Sequence, residues 1–525
     1  MGKFLKSNYW LILILLAAFV FRFWQIATLP GGLFPDEAAN GLDVNSILEG
    51  NLAPFYERGN GREALFFYAL AGLVAIFGRG HWQHHIVSAG FGFFAVLAGY
   101  FLTKRLFGKN IALIASFLYA VSSYAVTLSR TAFRANAVPL LTTLTLLFLV
   151  KAYQEKKKSA KIWSALLAGV CFGLGFYTYI SFRMMIPLLL FLGLILAYAN
   201  RNRLKRTIKP YVKPFWAFAV SFGAAFAWLA YYFVRHPQNI FGRASQVSIF
   251  NADLNHGDAL GAFLHILKAT ILGFFTAGDL NWRHNVSGFA FLSPAVSPFF
   301  AVGLIIFTIA VWRLFSEARK KKIKSETFFM GLAAMWFWFM IVPEISTAEG
   351  IPHGLRLVGV MPAMFIFAAW CIYKVWGNIK QSNLLPAWKK LYAAIFLSSI
   401  FVYNFTLYFA VAASSPEYYY AFRSDLTQIS RYLNQRNLPA KTYLSLDKFS
   451  VQTVDYLTTE TGNPYVLLDP AETYKIRLKP GDQVIFTMST LFDRLKFLAR
   501  NRDANLVYEK RNDFGEITML VYQKP

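Results

Sequence analysis

The chain has 525 residues, of which 56% are hydrophobic, 18% aromatic and 15% charged. That composition excludes a disordered chain, which is poor in aromatics and rich in charge, and its apolar runs are too long for one soluble core. Lys and Arg number 53 against 27 Asp and Glu, a formal net charge of +26; in a soluble protein this would suggest nucleic acid, but here the bases fall between apolar runs and no nucleic-acid partner is expected.

Eleven apolar stretches near 20 residues predict membrane spans: Tyr9–Leu29, His84–Thr103, Asn110–Ser129, Arg134–Lys151, Ile162–Ser181, Met184–Ala199, Pro214–Val234, Gly288–Trp312, Thr327–Pro343, Arg356–Lys374 and Leu391–Ala413. The first lacks a small-residue cleavage site and is span-length, so it reads as a span rather than a signal peptide. Cys171 and Cys371 lie inside such runs and read as apolar fillers, with no disulfide framework and no metal-ligand spacing.

With the N-terminus on the cytoplasmic side, one face collects Lys3 and Lys6, the Lys104–Lys109 turn, the Lys151–Lys161 and Arg201–Lys213 clusters, Arg313–Lys324 and Lys374–Lys390. These hold 26 of the 53 bases but only three acids, Glu155, Glu317 and Glu326. The net charge is therefore mostly a topology signal, as expected for cytoplasmic loops of an integral protein of the cytoplasmic membrane. Ala64–Phe77 is apolar, but its 14 residues would reach only about 21 Å as a helix, short of a hydrocarbon core of roughly 30 Å. Leu260–Ala277 carries His265 and Lys268. Both read as helices lying at the outer interface.

The fold expected is mainly α: a polytopic membrane domain over residues 1–413 with about eleven transmembrane helices, then a small extracytoplasmic α/β domain over residues 414–525. The tail predicts helices at Leu426–Asn434, Val451–Thr458 and Leu491–Arg500. It predicts strands at Thr442–Leu446, Tyr465–Leu468 and Gln483–Met488, and a closing hairpin of Leu506–Glu509 with Ile517–Gln523 around Asn512–Gly515. No Gly-rich phosphate loop and no Ser/His/Asp pattern is visible in it.

Chemistry concentrates in the first external loop, residues 30–83, which holds Asp36, Glu37, Asp43, Glu49, Glu57 and Glu63. Leu33-Phe34-Pro35-Asp36-Glu37-Ala38 opens a helix that runs through Leu48 and stops at Gly50. Two carboxylates in a first turn also satisfy free amides and the helix dipole; the functional alternative is a general base near an apolar interface. Arginines gather at the outer ends of the spans: Arg22, Arg130, Arg134, Arg183 in the short connection beginning Tyr177-Thr178-Tyr179, and Arg356 after Pro352-His353. Each could snorkel or pair with an acid; together they read as an anion site, for example for a lipid phosphate. All eight histidines fall on the external side, and the spacing of His81, His84 and His85 matches no known metal-ligand set.

A first span carrying an Arg, a loop with Asp-Glu-Ala, an apolar Tyr-containing stretch and a Lys-Arg-Leu-Phe-Gly-Lys turn resemble the membrane glycosyltransferases of the dolichyl-phosphate-mannose protein mannosyltransferase group, with bacterial aminoarabinose transferases as relatives. The resemblance covers about residues 10–200. It implies a C-type glycosyltransferase fold and inverting transfer of a sugar from a polyprenyl-phosphate donor, a membrane lipid, to an extracytoplasmic acceptor, which could be protein, lipid or glycan. It implies Asp36 as general base, Glu37 as its support and Glu63 as second acid of the loop. Arg62, Arg134, Arg183, Arg356, His353 and Tyr179 would hold the donor phosphate. No nucleotide cofactor is expected, and a divalent metal is left open. Many relatives carry an Asp just before the fourth span, where this chain reads Arg134-Ala135-Asn136, so the role of that Asp does not transfer. The rival readings are a lipid or solute transporter or flippase, which would place ionisable groups at mid-membrane and often show inverted repeats, and a structural or sensory protein acting through its tail.

Overall fold

A computed structural model describes residues 2–240, 247–435 and 441–525. Among these, eight helices are long and apolar enough to cross a membrane: His81–Phe107, Arg134–Gln154, Ile180–Ala199, Arg201–Arg235, Ser297–Arg319, Ser325–Ile345, Arg356–Gln381 and Pro386–Ala412. A ninth is the pair Lys109–Val121 and Ser123–Arg130, bent by 57°. Large apolar side chains such as Trp216, Val220, Val234 and Trp312 are exposed on these helices, as expected where lipid rather than water is the solvent. The chain is an integral membrane protein. The predicted first and fifth spans form helices Gly2–Phe23 and Lys158–Gly175, which fall outside the span-length apolar set, so the count of eleven is not reached. The short apolar helices Leu65–Phe77 and Ala259–Gly273 occupy the two stretches read as interfacial.

Several boundaries moved for local reasons. The helix of the fifth predicted span ends at Gly175 rather than Ser181; there Phe182 packs so close that a Cβ at 175 would run into its ring. The eighth predicted span starts as a helix at Ser297 rather than Gly288: residues 288–296 are turns and coil that include Pro294, and Pro298 stands in the first helical turn.

The chain forms two compact units. The first comprises Met1–Trp24, Ala53–Phe66 and Ser88–Val411; the second comprises Gln25–Leu52, Phe67–Val87 and Ala412–Pro525.

Breaks in apolar helices organise the first unit. Bending at Ser122 frees the carbonyls that end Lys109–Val121. Buried Arg22 fills them: its Nη1 donates to Ala120 O at 2.8 Å and its Nη2 to Tyr119 O at 3.2 Å. Across the break, Ser123 N donates to Asn404 Oδ1 at 2.8 Å. Arg130, at the end of the second half-helix, donates from Nη1 to Phe21 O and from Nε to Tyr408 Oη, and lies over the Tyr408 and Phe409 rings. Asn136 Nδ2 reaches Leu128 O, Thr131 O and Ser88 Oγ. A two-residue pair, β1 (Phe55–Tyr56) and β2 (Arg62–Glu63), runs antiparallel in the same unit.

In the second unit, the strands are β3 (Thr442–Ser445), β4 (Val466–Leu468), β5 (Gln483–Thr487), β6 (Asn505–Arg511) and β7 (Ile517–Gln523). They form one sheet in the order β4-β3-β5-β7-β6. β3 is parallel to β4 and β5; β5–β7 and β7–β6 are antiparallel. Period-2 alternation decides the two faces. Leu444, Ile485, Met519 and Val521 meet Leu426, Ile429 and Leu433 of helix Ser424–Leu433, while Val484, Phe486 and Leu520 meet Phe497 on the other side. Arg423 grips Asp425 with two 3.0 Å hydrogen bonds and reaches Ser450 Oγ, tying that helix to the segment before Val451–Leu457. Helix Pro35–Leu48 packs on Val451–Leu457, and Gly41 is needed there because a Cβ would meet the Tyr456 ring.

Arg22→Met leaves two buried carbonyls unsatisfied, at about 1–3 kcal/mol each. It is expected to lower the thermal midpoint of the detergent-purified protein by several degrees, with Arg22→Lys recovering part of the loss. An Arg22→Met midpoint equal to that of the wild type would show that the break at Ser122 is held by other means.

Candidate active site

Three apolar helices of the first unit begin in the same manner. Ala137–Gln154 is entered through the turn Arg134–Asn136, Met185–Ala199 through Ile180–Met184, and Met361–Gln381 through Arg356–Val360. Each entry turn carries an arginine beside amides that have no intrahelical acceptor. The helix Ala137–Gln154 packs against both other entry turns, and those two turns touch each other. Three of the arginines predicted to hold an anion therefore stand on converging helix starts.

Glu63 on β2 organises two of them. Arg134 Nε donates to its Oε2 at 3.1 Å, and Arg183 Nη2 lies 3.7 Å from its Oε1. The Arg134 guanidinium sits over the Tyr179 ring at 5.4 Å and also donates to Gly61 O. Arg183 lies over Phe233 and donates to Ile240 O. Two guanidiniums against one buried carboxylate leave an excess positive charge at helix starts, which favours an anion. Arg62 is buried beside Glu63 on the same strand.

Arg356 is held by its own loop. It donates to Thr347 Oγ1 at 2.8 Å and to Glu349 O at 2.5 Å, and its Nη2 is 3.1 Å from Glu349 Oε2. His353, three residues earlier, belongs to a cluster that the sequence did not signal. His284 Nδ1 is 2.7 Å from Asp279 Oδ2, His353 Nδ1 is 3.9 Å from the same oxygen, and the two imidazoles stack at 4.4 Å. Burial pushes the His284 imidazole below its ordinary value, against the opposing pull of Asp279. His284 also meets the Phe133 ring at 5.3 Å, and Arg283 lies over that ring. Phe133 adjoins Arg134, so the aspartate–histidine cluster borders the Arg134 turn. The only hint in the sequence was a polar run, Gly278-Asp279-Leu280-Asn281-Trp282-Arg283-His284-Asn285, between apolar neighbours.

Asp36 and Glu37 belong to the second unit, in the first turn of Pro35–Leu48. Asp36 is exposed and Glu37 is buried. Glu37 Oε2 accepts from Phe34 N at 3.0 Å, closing the helix start in the manner of a cap. His81 and His85 bond the carbonyls of Ala27 and Gly32, and His84 Nδ1 bonds that of Gly80, a structural use for the three.

Residues 64–231 match the family model described as dolichyl-phosphate-mannose-protein mannosyltransferase. No curated protein matches the sequence significantly. The fold is similar to that of ArnT from Cupriavidus metallidurans bound to undecaprenyl phosphate, with a TM-score of 0.56 and 14% identity over 98% of both chains. It is also similar to the Archaeoglobus fulgidus oligosaccharyltransferase tethered to an acceptor peptide containing the NVT sequon, with a TM-score of 0.53 and 13% identity over 100% of this chain and 75% of that one. A third likeness is to AglB of the same organism with an inhibitory peptide and a dolichol-phosphate, with a TM-score of 0.52 and 12% identity over 99% and 75% of the two chains. The chain thus shares the fold of ArnT and of the archaeal oligosaccharyltransferases, and part of it matches the mannosyltransferase model that its order of loops resembles.

Glu63→Gln would leave Arg134 and Arg183 without their shared counter-charge. With both arginines part-exposed, the expected loss is about 2 kcal/mol of stability, measured as a lower thermal midpoint. Raising salt should recover part of that loss, because salt screens the repulsion between the two guanidiniums.

Proposed function

We propose that the protein is a membrane glycosyltransferase that moves a sugar, with inversion, from a polyprenyl-phosphate donor to an extracytoplasmic acceptor. The observation that carries this reading is the convergence of the Arg134, Arg183 and Arg356 helix starts, with Glu63 between two of the arginines. Such a site suits a phosphate that departs as a monoester. The matched family model and the fold similarity to ArnT and AglB support it.

A polyprenyl phosphate is already a good leaving group, so the protein has three tasks. It must bind the phosphate, place the acceptor oxygen in line with the anomeric carbon, and remove the acceptor proton. In the reaction the acceptor oxygen forms a bond to the anomeric carbon as the carbon–oxygen bond to phosphate breaks. The acceptor proton passes to a carboxylate, and the bonding pair leaves with the polyprenyl phosphate. Arg134 and Arg183 take the phosphate role. Tyr179, stacked on Arg134, fixes the plane of that guanidinium, and Glu63 sets the spacing of the two arginines. Arg62, His353 and Arg356 flank them. Asp36, exposed at a helix start, is assigned as the base, and Glu37 supports it by fixing the turn that presents it. The site and the soluble tail are assigned to the extracytoplasmic face.

Asp36→Asn keeps the shape of the side chain and removes its basicity. It is expected to lower kcat by about 10²–10⁴-fold with little change in folded yield, measured with a purified lipid-linked sugar in nanodiscs. Full activity in this variant would reject the base assignment. Arg183→Gln should raise KM for the lipid donor about tenfold or more while leaving the acceptor dependence unchanged. Unaltered donor dependence would remove Arg183 from the phosphate site.

A further inference from the structure

We propose that Asp279, His284 and His353 form a transition-metal site of the zinc type, which staples the loop after helix Ala259–Gly273 to the loop before helix Met361–Gln381. The three offer two imidazole nitrogens and one carboxylate oxygen, all within 4.8 Å of one another. That mixed nitrogen and oxygen set suits zinc and its neighbours rather than magnesium or calcium, which prefer all-oxygen shells.

The geometry supports an ion better than a network of protons. Zinc bonds of about 2.1 Å in a tetrahedron place ligand atoms about 3.4 Å apart. The His284 and His353 Nδ1 atoms lie 2.7 and 3.9 Å from Asp279 Oδ2, on either side of that value, so side-chain shifts of under an ångström would seat the ion. As a hydrogen-bonded triad the arrangement is poor. Asp279 Oδ2 already accepts from His284 Nδ1 and from Gly354 N, each at 2.7 Å, and His353 Nδ1 lies beyond hydrogen-bond reach of it. The rings stack at 4.4 Å with an interplanar angle of 27°, and the same nitrogen of both faces one oxygen.

The surroundings hold the ligands as a metal site requires. Asn281 N donates to Asp279 Oδ1 at 2.8 Å, and Gly354 N fixes Oδ2, so the carboxylate cannot rotate freely. Glu344 is 1% exposed and accepts from His353 N at 2.7 Å through Oε1, while its Oε2 has no hydrogen-bond partner among the described residues. A buried acid with an unpartnered oxygen, set against the backbone of a candidate ligand, fits a neighbouring positive ion. The charge of Arg356, which would otherwise oppose that ion, is neutralised by Glu349 at 3.1 Å.

His353 also flanks the proposed phosphate site, so the test reads metal directly rather than sugar transfer. Full-length protein in nanodiscs is stripped with a chelator, dialysed, and titrated with zinc or cobalt alone. The expected results are one zinc per chain by elemental analysis, a visible cobalt absorption band of low-coordinate form, and a thermal midpoint that rises with zinc. His284→Ala and His353→Ala should each bind zinc about 100-fold or more weakly and lose the midpoint shift. The exposed His256→Ala should bind as the wild type does. No retained zinc and no cobalt band in the wild type would overturn the proposal, as would zinc binding that survives in folded His353→Ala or is lost in His256→Ala. Should the ligand variants fail to fold, the wild-type stoichiometry and cobalt band decide it alone.

Discussion

A backbone that bends inside an apolar layer must find donors and acceptors there, because neither lipid tails nor leucine side chains offer any. That requirement explains the placement of the most deeply buried polar groups in the first unit. Arg22 lies in the first helix, but its guanidinium belongs to the carbonyls of Tyr119 and Ala120 at the end of another. Asn404 accepts from the first amide after the same bend. Arg130 closes the carbonyl of Phe21 and stacks on Tyr408 and Phe409. These residues act as caps delivered from a distance. With them, a chain bent by 57° can still pack Tyr124 and Ala125 into a buried core.

The same rule separates two kinds of arginine that look alike in the sequence. Arg22 and Arg130 direct their donors at backbone carbonyls inside the helix layer, which accounts for their burial and for their failure to snorkel. Arg134 and Arg183 share a carboxylate at helix starts, where the local amides are also unpaired. An ion pair of one acid with two bases keeps a net positive charge, and the amides add to it. A cap is complete within the protein, whereas the Arg134–Arg183 pair carries more positive charge than its one shared carboxylate balances. Arg356 lies between the two kinds: its turn joins the converging helix starts, but Glu349 balances its charge and Thr347 fixes its direction.

How much of this was legible follows from the range of each interaction. Hydropathy is local, so the apolar stretches and the tail strands were readable within a few residues. The Asn512 side chain that accepts from Phe514 N and Glu516 N set the closing hairpin as the sequence had it. Helix ends were harder to place: the fifth predicted span leaves its helix at Gly175, six residues before its expected end at Ser181. The count of eleven spans is not confirmed, because helices Gly2–Phe23 and Lys158–Gly175 are not among the eight long apolar ones. The places of Tyr179, Arg134 and Arg183 at span ends were readable. Their union through Glu63 was not, because the partners lie on three separate segments. Arg22 and Arg130 were read with the same group, and composition gave no means of telling a carbonyl cap from an anion ligand.

The Asp279 cluster shows the limit most clearly. Asp279 and His284 lie five residues apart on one irregular loop, a spacing that matches no helix face and no strand face, so periodicity carries no information there. His353 arrives from a different loop and is set by the bond from its backbone to Glu344 and the bond of Gly354 N to Asp279. The contact that unites them is therefore a backbone contact, invisible to any pattern of side-chain types. Yet its consequence is chemical, since it brings a second imidazole onto a carboxylate that already holds one. Two loops fixed to one carboxylate also steady the Arg356–Val360 turn that follows His353, and through it one of the three converging helix starts.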